Sequence, residues 1–167
     1  MLKNKKLEFE VLGDESNAQV CLVFIHGWKG NKNSFKPFAQ SFKIKNSVWY
    51  FPQAPYLIDE GSEGFSWTYE ISKGKYERDE PVHLLMDFFN NQVLSKFDSK
   101  DVFLFGFSQG ALVCFEIIRI LDKPLGGVFP IAGFMSGNKK NIRRIHPKQV
   151  STPIVIGHGK EDDVILI

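Results

Sequence analysis

The feature of the sequence that most constrains its fold is a serine flanked by glycines, placed between an apolar run and an apolar helical pattern. The run covers 101–107, which is the length of a β-strand, and the helical pattern covers 109–121. Between them, Gly106, Ser108 and Gly110 form a G-x-S-x-G motif. A strand, an abrupt turn and a helix are the context in which this motif holds a serine hydroxyl above a sheet. We therefore predict a strained turn at Ser108, which the glycines permit because they lack Cβ.

The helix expected after Ser108 favours a chemical role for this serine. Its first backbone N–H groups and the positive end of its dipole would face the place where negative charge develops during attack on a carbonyl. Ser108 is accordingly a candidate nucleophile. Two plainer interpretations stay open, because a turn serine or a helix N-cap serine can occupy the same position.

Composition limits the class of protein. A chain of 167 residues suits a single domain over 1–167, and 43% hydrophobic residues with 16 Phe argue against disorder. The net charge of +2 is too small to indicate nucleic acid or an anionic membrane as a partner. We find neither a secretory signal nor an apolar run of membrane-spanning length. Cys21 and Cys114 lie in apolar runs, which predicts buried thiols and a reducing compartment, the cytoplasm.

Alternating strand and helix patterns predict a mainly parallel α/β sheet with helices on both faces. The expected strands cover 7–12, 20–25, 47–51, 101–107, 126–131 and 153–157, with the first at a sheet edge. The expected helices cover 34–42, 81–97 and 109–121, and Asp79 is the expected cap of the second. The segment 56–78 lacks periodicity, but its aromatic residues indicate an ordered excursion over the sheet.

Several motifs, taken in this order, resemble those of the α/β-hydrolase fold. More narrowly, they look like the phospholipase/carboxylesterase family, which includes acyl-protein thioesterases. The matching blocks are His26-Gly27-Trp28, Pro52-Gln53-Ala54-Pro55, Trp67, Gly106-Phe107-Ser108-Gln109-Gly110-Ala111 and His158-Gly159-x-x-Asp162-x-Val164. The likeness covers nearly the whole chain from Val20 onward.

The resemblance implies a serine hydrolase that cleaves small carboxylic esters or thioesters through an acyl-enzyme. Ser108 would be the nucleophile and Asp162 the triad acid. The backbone N–H groups of Trp28 and Gln109 would form the oxyanion hole. In such hydrolases one donor follows the nucleophile and the other comes from the loop after an earlier strand, and these two positions agree with that rule. Trp67 would bind substrate, and core packing is an equally good expectation for it. The chemistry needs no metal and no organic cofactor.

Two assignments have alternatives within the sequence. Asp163 lies next to Asp162 and is the other candidate for the acid. His26 and His158 each precede a glycine at the end of an expected strand. We expect both imidazoles to brace their loops and neither to act as the general base.

The chain departs from the hydrolase order of serine, acid and then histidine. Five residues follow Asp162, and none is a histidine. Without a base, a serine hydroxyl is a poor nucleophile at neutral pH. We therefore expect the chain as given to be inactive or weakly active.

Three explanations compete for the missing histidine. The first is truncation, with the last strand and helix of the fold missing, because the apolar tail 164–167 has nothing left to bury it and a sheet edge would stay unpaired. The second is that His83 or His146 replaces the base. The third is a non-catalytic relative that binds acyl ligands or a protein partner. Truncation is the explanation that we favour.

Overall fold

The computed structural model describes residues 6–73, 75–135 and 144–165. Within these ranges the strands are β1 (Phe9–Leu12), β2 (Val20–Ile25), β3 (Ser47–Pro52), β4 (Tyr56–Leu57), β5 (Phe65–Ser66), β6 (Tyr69–Ser72), β7 (Lys75–Glu77), β8 (Val102–Phe107) and β9 (Gly127–Ile131). The α-helices are α1 (Lys36–Ser41), α2 (Asp79–Phe88) and α3 (Gln109–Ile120).

The central sheet has the strand order β1-β3-β2-β8-β9. Strand β1 is antiparallel to β3 at one edge, whereas β3, β2, β8 and β9 are parallel to their neighbours. Strand β2 is apolar throughout because it is buried on both faces, as is usual in parallel sheets. Cys21, Val23 and Ile25 face the core shared with α2 and α3, and Leu22 and Phe24 face the core shared with α1. The predicted parallel α/β sheet with helices on both faces is confirmed.

The described residues of the segment 56–78 are ordered, as its aromatic residues predicted. It forms two antiparallel pairs, β4 with β5 and β6 with β7. Both cysteines are buried free thiols, which confirms that prediction too. None of the helices within the described ranges is long and apolar enough to cross a membrane.

The second predicted helix differs at both ends. Helix α2 ends at Phe88 and continues as a π-helical turn over Phe89–Val93. Asp79 is not its cap, because the Glu77 carboxylate accepts from the backbone N–H groups of Asp79 and Glu80 at 2.8 and 3.0 Å. Glu77 therefore satisfies the first free donors of this helix.

The predicted strand 153–157 lies beside β9 but does not form a continuous ladder. Pro153, Val155 and Gly157 make four backbone hydrogen bonds with β9 and Ala132, between 2.8 and 3.0 Å long. The ladder is interrupted because Pro130 of β9 has no N–H to donate to this segment. The residues between these bonding positions, 154 and 156, direct their backbone groups to the opposite side, where no described strand pairs with them.

Candidate active site

Ser108 lies in a strained turn between β8 and α3. Its backbone has φ 52° and ψ −115°, a region that non-glycine residues adopt only at a cost of about 1–3 kcal/mol. Its N–H donates to the Ile131 carbonyl at 2.8 Å, and its own carbonyl accepts from Ala111 N at 2.9 Å. The side chain is half-buried and its hydroxyl makes no hydrogen bond to a described residue. The predicted abrupt turn is therefore present at Ser108.

The glycines on either side of Ser108 are required by close backbone contacts. A Cβ on Gly106 would collide with the Gly110 carbonyl and Cys114 Sγ, and a Cβ on Gly110 would collide with the Ile25 carbonyl. Because these two glycines have no side chains, the first turn of α3 can pack against the end of β2. The motif therefore fixes where the N-terminus of α3 meets the sheet.

A second loop, residues 26–30, lies against the serine. A Cβ built on Gly27 would be 3.4 Å from Ser108 Cβ and 3.1 Å from the Phe107 carbonyl oxygen. This loop carries Trp28, and α3 begins with Gln109 immediately after the serine. Neither the Trp28 nor the Gln109 backbone N–H donates to another described residue. Two amides without an acceptor among the described residues thus lie near Ser108, one in the loop after β2 and one at the start of α3.

His26 braces the second loop, as the sequence predicted. Its ring is buried, Nε2 accepts from Ala54 N at 3.1 Å, and Nδ1 therefore carries the proton and donates to the Gly27 carbonyl at 2.8 Å. Burial lowers the pKa of His26 to about 4, so the ring is neutral near pH 7. Because both nitrogens are used, His26 has none left to act as a base.

The excursion is hydrogen-bonded to Gln109 through a contact that sequence reasoning missed. The Gln109 side chain accepts from Trp67 N at 2.9 Å and donates to Thr68 Oγ1 and Ser66 Oγ at 2.9 and 3.0 Å. Trp67 is fully buried, and its indole N–H donates to the His26 carbonyl at 2.8 Å. Trp67 therefore packs between the site loops, which agrees with core packing, one of the two expectations for it; a role in substrate binding stays a prediction.

Backbone contacts extend this connection to the loop of Trp28. Lys29 N donates to the Phe65 carbonyl at 3.1 Å, and Phe65 N donates to the Gly30 carbonyl at 2.9 Å. The segment 65–68 thus joins the loop after β2 to the start of α3. The only sequence signal for it was the run of hydroxyl-bearing residues around Trp67.

An open cleft of about 570 Å³ lies beside residues 28 and 109. We call it the aromatic cleft, because four aromatic rings and one carboxylate line it: Trp28, Tyr56, Tyr69, Tyr76 and Glu70. Gln109 is also among the residues that line the cleft, whereas Ser108 is not. A volume of this size suits a small organic ligand.

Asp162 is organised by its own loop. Its Oδ1 accepts from Val164 N at 3.0 Å and Ile165 N at 2.9 Å, and these two bonds lower the pKa of the carboxyl. Its Oδ2 lies 3.4 Å from His158 Nε2, which donates to the Ile165 carbonyl at 2.6 Å. Asp163 is exposed. His158 thus braces this loop as predicted, and no described contact links either aspartate to Ser108.

Of the two alternative bases, His146 lies far along α3 from Ser108 and His83 lies on the protein surface. His146 N donates to the Ile118 carbonyl at 3.0 Å, nine residues along α3 from Gln109, and at 1.5 Å per residue this is about 13 Å along the helix. Its ring also accepts from Lys148 N at 3.2 Å. His83 is exposed on α2. The explanation in which His83 or His146 replaces the base therefore has no support in this geometry.

Comparison with known proteins agrees with this arrangement of motifs. A family model described as phospholipase/carboxylesterase matches residues 7–167. Acyl-protein thioesterase 1 of Debaryomyces hansenii is 27% identical over 167 residues, covering 89% of this chain and 72% of that protein. A rice protein described as a probable inactive carboxylesterase is 27% identical, covering 87% of this chain and 66% of its own length.

Solved structures show the same fold. The crystal structure of Arabidopsis thaliana SOBER1 has a TM-score of 0.73 at 22% identity, over 90% of this chain and 78% of that one. At this identity the likeness concerns the arrangement of strands and helices alone. Together with the match of the family model to nearly all of the sequence, it leads to one conclusion: this chain belongs to the phospholipase/carboxylesterase family.

Proposed function

We propose that the chain is a serine hydrolase that cleaves carboxylic esters or thioesters, with Ser108 as the nucleophile on a nucleophile elbow. The observation that carries the proposal is the positive φ of Ser108 between β8 and α3, next to two amides that have no acceptor among the described residues. Membership of the phospholipase/carboxylesterase family supports the same chemistry. We also propose that residues 1–167 form one domain, and that its free thiols reflect work in the cytoplasm.

The proposed reaction has two steps. Ser108 Oγ attacks the carbonyl carbon of the substrate, and its proton passes through a general base to the leaving alcohol or thiol as the bond to the carbonyl breaks. Water then attacks the acyl-serine and releases the acid. In both steps the N–H groups of Trp28 and Gln109 would donate to the oxyanion, and each such donor typically contributes about 3 kcal/mol. The N-terminus of α3 adds a favourable dipole.

Asp162 would orient the histidine that serves as this base. The ionised form of Asp162 suits that role, because two backbone N–H groups stabilise its charge. The sequence contains no histidine after Asp162, and the rings of His26 and His146 have other partners. We therefore expect slow acyl transfer by the 167-residue chain, limited by the base and not by the oxyanion donors.

Added imidazole tests this proposal directly, since it can supply the missing proton acceptor. Hydrolysis of p-nitrophenyl acetate by the 167-residue chain should be slow and should rise with imidazole concentration beyond the rate of imidazole alone. Ser108→Ala should show only the imidazole background. Equal rates for the two chains at every imidazole concentration would refute the role of Ser108.

A second candidate function is a non-catalytic module that binds acyl ligands or a protein partner. Similarity to a rice protein described as a probable inactive carboxylesterase favours it. This alternative expects Ser108→Ala to bind a fatty-acyl ligand as well as the unchanged chain does, with no imidazole-dependent hydrolysis by either. The imidazole experiment therefore separates the two functions.

A further inference from the structure

We infer that the aromatic cleft binds a positively charged group, a quaternary or substituted ammonium, carried by the ester or thioester substrate. This inference rests on the proposed function and adds a substrate class to it. The cleft adjoins Trp28 and Gln109, whose amides are the proposed oxyanion donors. A cation bound there would be held beside the reacting carbonyl group.

The rings that line the cleft are unusually accessible for large aromatic side chains. Trp28 is 57% exposed, and Tyr69 and Tyr76 are 44% and 46% exposed. Tyr56 and Tyr69 meet edge to face with ring centroids 4.7 Å apart, so their faces point in different directions around the same space. The negative face of each ring attracts a cation through its quadrupole. Several such faces around one cleft fit an ammonium group better than a neutral one.

The charged groups near the cleft are mainly acidic, which is the sign that attracts a cation. Glu70 is the charged side chain among the described lining residues. Tyr56 Oη donates to Glu80 Oε2 at 2.8 Å, and a phenol that donates to a carboxylate has a more electron-rich ring. Residues 56–80 carry seven Asp and Glu against three Lys and Arg, although the whole chain has a net charge of +2. This part of the surface is therefore acidic on a slightly basic protein.

One ring of the cleft already accepts a cation from the chain itself. Lys29 Nζ lies 4.5 Å from the centroid of the Trp28 ring. The geometry around Trp28 thus admits an ammonium over its face, and Lys29 is not among the residues that line the cleft. A ligand cation would compete with Lys29 for Trp28 and would be repelled by its charge. Removal of Lys29 should therefore strengthen ligand binding.

Choline and its neutral isostere 3,3-dimethylbutan-1-ol test the inference without any need for catalysis. Titrations of the 167-residue chain at constant ionic strength would follow the indole N–H signals of its three Trp residues by NMR. Choline should shift the Trp28 signal saturably and leave those of buried Trp49 and Trp67 almost unchanged. It should bind at least about fivefold more tightly than the isostere, which corresponds to one or two cation–π contacts. Equal affinities, or no saturable shift at Trp28, would overturn the inference.

Substitutions locate the effect within the cleft. Tyr69→Ala and Tyr76→Ala should each weaken choline binding about two- to fivefold. Neither substitution should change the affinity for the neutral isostere. Glu70→Gln should weaken it as well, whereas the matched change Glu63→Gln, at an exposed position outside the lining, should not. Lys29→Gln should tighten choline binding. If Glu63→Gln weakens binding as much as Glu70→Gln does, general charge and not the cleft is responsible, and the inference fails.

Ser108→Ala separates this inference from the proposed function. It should bind choline like the unchanged chain, because Ser108 does not line the cleft. Choline binding without Ser108-dependent hydrolysis would reject the proposed hydrolase and retain the cation site. Ser108-dependent hydrolysis without selective choline binding would reject the cation site and retain the proposed hydrolase.

Discussion

Lowering the pH should destabilise this fold through His26, because its buried imidazole has to remain neutral. Nε2 accepts from Ala54 N, so protonation of Nε2 breaks that bond and introduces a charge into the core. Burial lowers the pKa of His26 from its ordinary 6.5 to about 4. Between these two values the unfolded chain binds more protons than the folded chain, so stability falls as the pH falls from 6.5 towards 4.

The two pKa values also give the size of the effect. The free energy of unfolding should decrease by about 3 kcal/mol between neutral pH and pH 4, a large share of the 5–15 kcal/mol typical of a domain. Urea unfolding followed by tryptophan fluorescence at a series of pH values measures it. His26→Gln can keep both hydrogen bonds in a neutral side chain and should lose this part of the pH dependence. The exposed-site change His83→Gln should retain it. An equal decrease in the unchanged chain and in His26→Gln would refute the reasoning.

Two further predictions concern the turn at Ser108 and its neighbours. Gly110→Ala should destabilise the fold by about 1–3 kcal/mol in urea unfolding, because its Cβ would collide with the Ile25 carbonyl, whereas Gly→Ala within a helix ordinarily stabilises. A more stable Gly110→Ala chain would contradict this packing. Gln109→Ala should lower the free energy of unfolding by about 1–3 kcal/mol and speed limited proteolysis within 56–78, because it removes the side-chain hydrogen bonds to Trp67 and Thr68. Unchanged cleavage there would show that other contacts hold the excursion.

The turn and the central strands were predictable because their signals are local. The strand before Ser108 and the helix after it are apolar patterns of the right length, and the glycines mark a point where side chains do not fit. Strand β2 could be placed for a similar reason, since burial on both faces makes it continuously apolar. The parallel direction of most strands then follows from the rules of α/β folds, whereas their order in the sheet does not.

The missed features depend on contacts between distant residues. Gln109 bonds to Trp67 and Thr68 across more than forty positions, and no local pattern records such a contact. Core packing was one of two equal expectations for Trp67, and only its contacts with distant residues distinguish it from a tryptophan that lines a pocket. The broken pairing of 153–157 depends on Pro130 in the neighbouring strand and could have been predicted only with the strand order known.

The most direct test of the central claim is to locate the acyl group after reaction with an activated ester. Without a base, hydrolysis of the acyl-serine should be slow as well, so the acyl-enzyme should accumulate. Mass spectrometry of the 167-residue chain after reaction with p-nitrophenyl acetate in the absence of imidazole should find one acetyl group, and peptide mapping should assign it to Ser108. The Ser108→Ala chain should remain unmodified. Acetyl groups spread over lysines, with none on Ser108 in the unchanged chain, would contradict the assignment of Ser108 as the nucleophile.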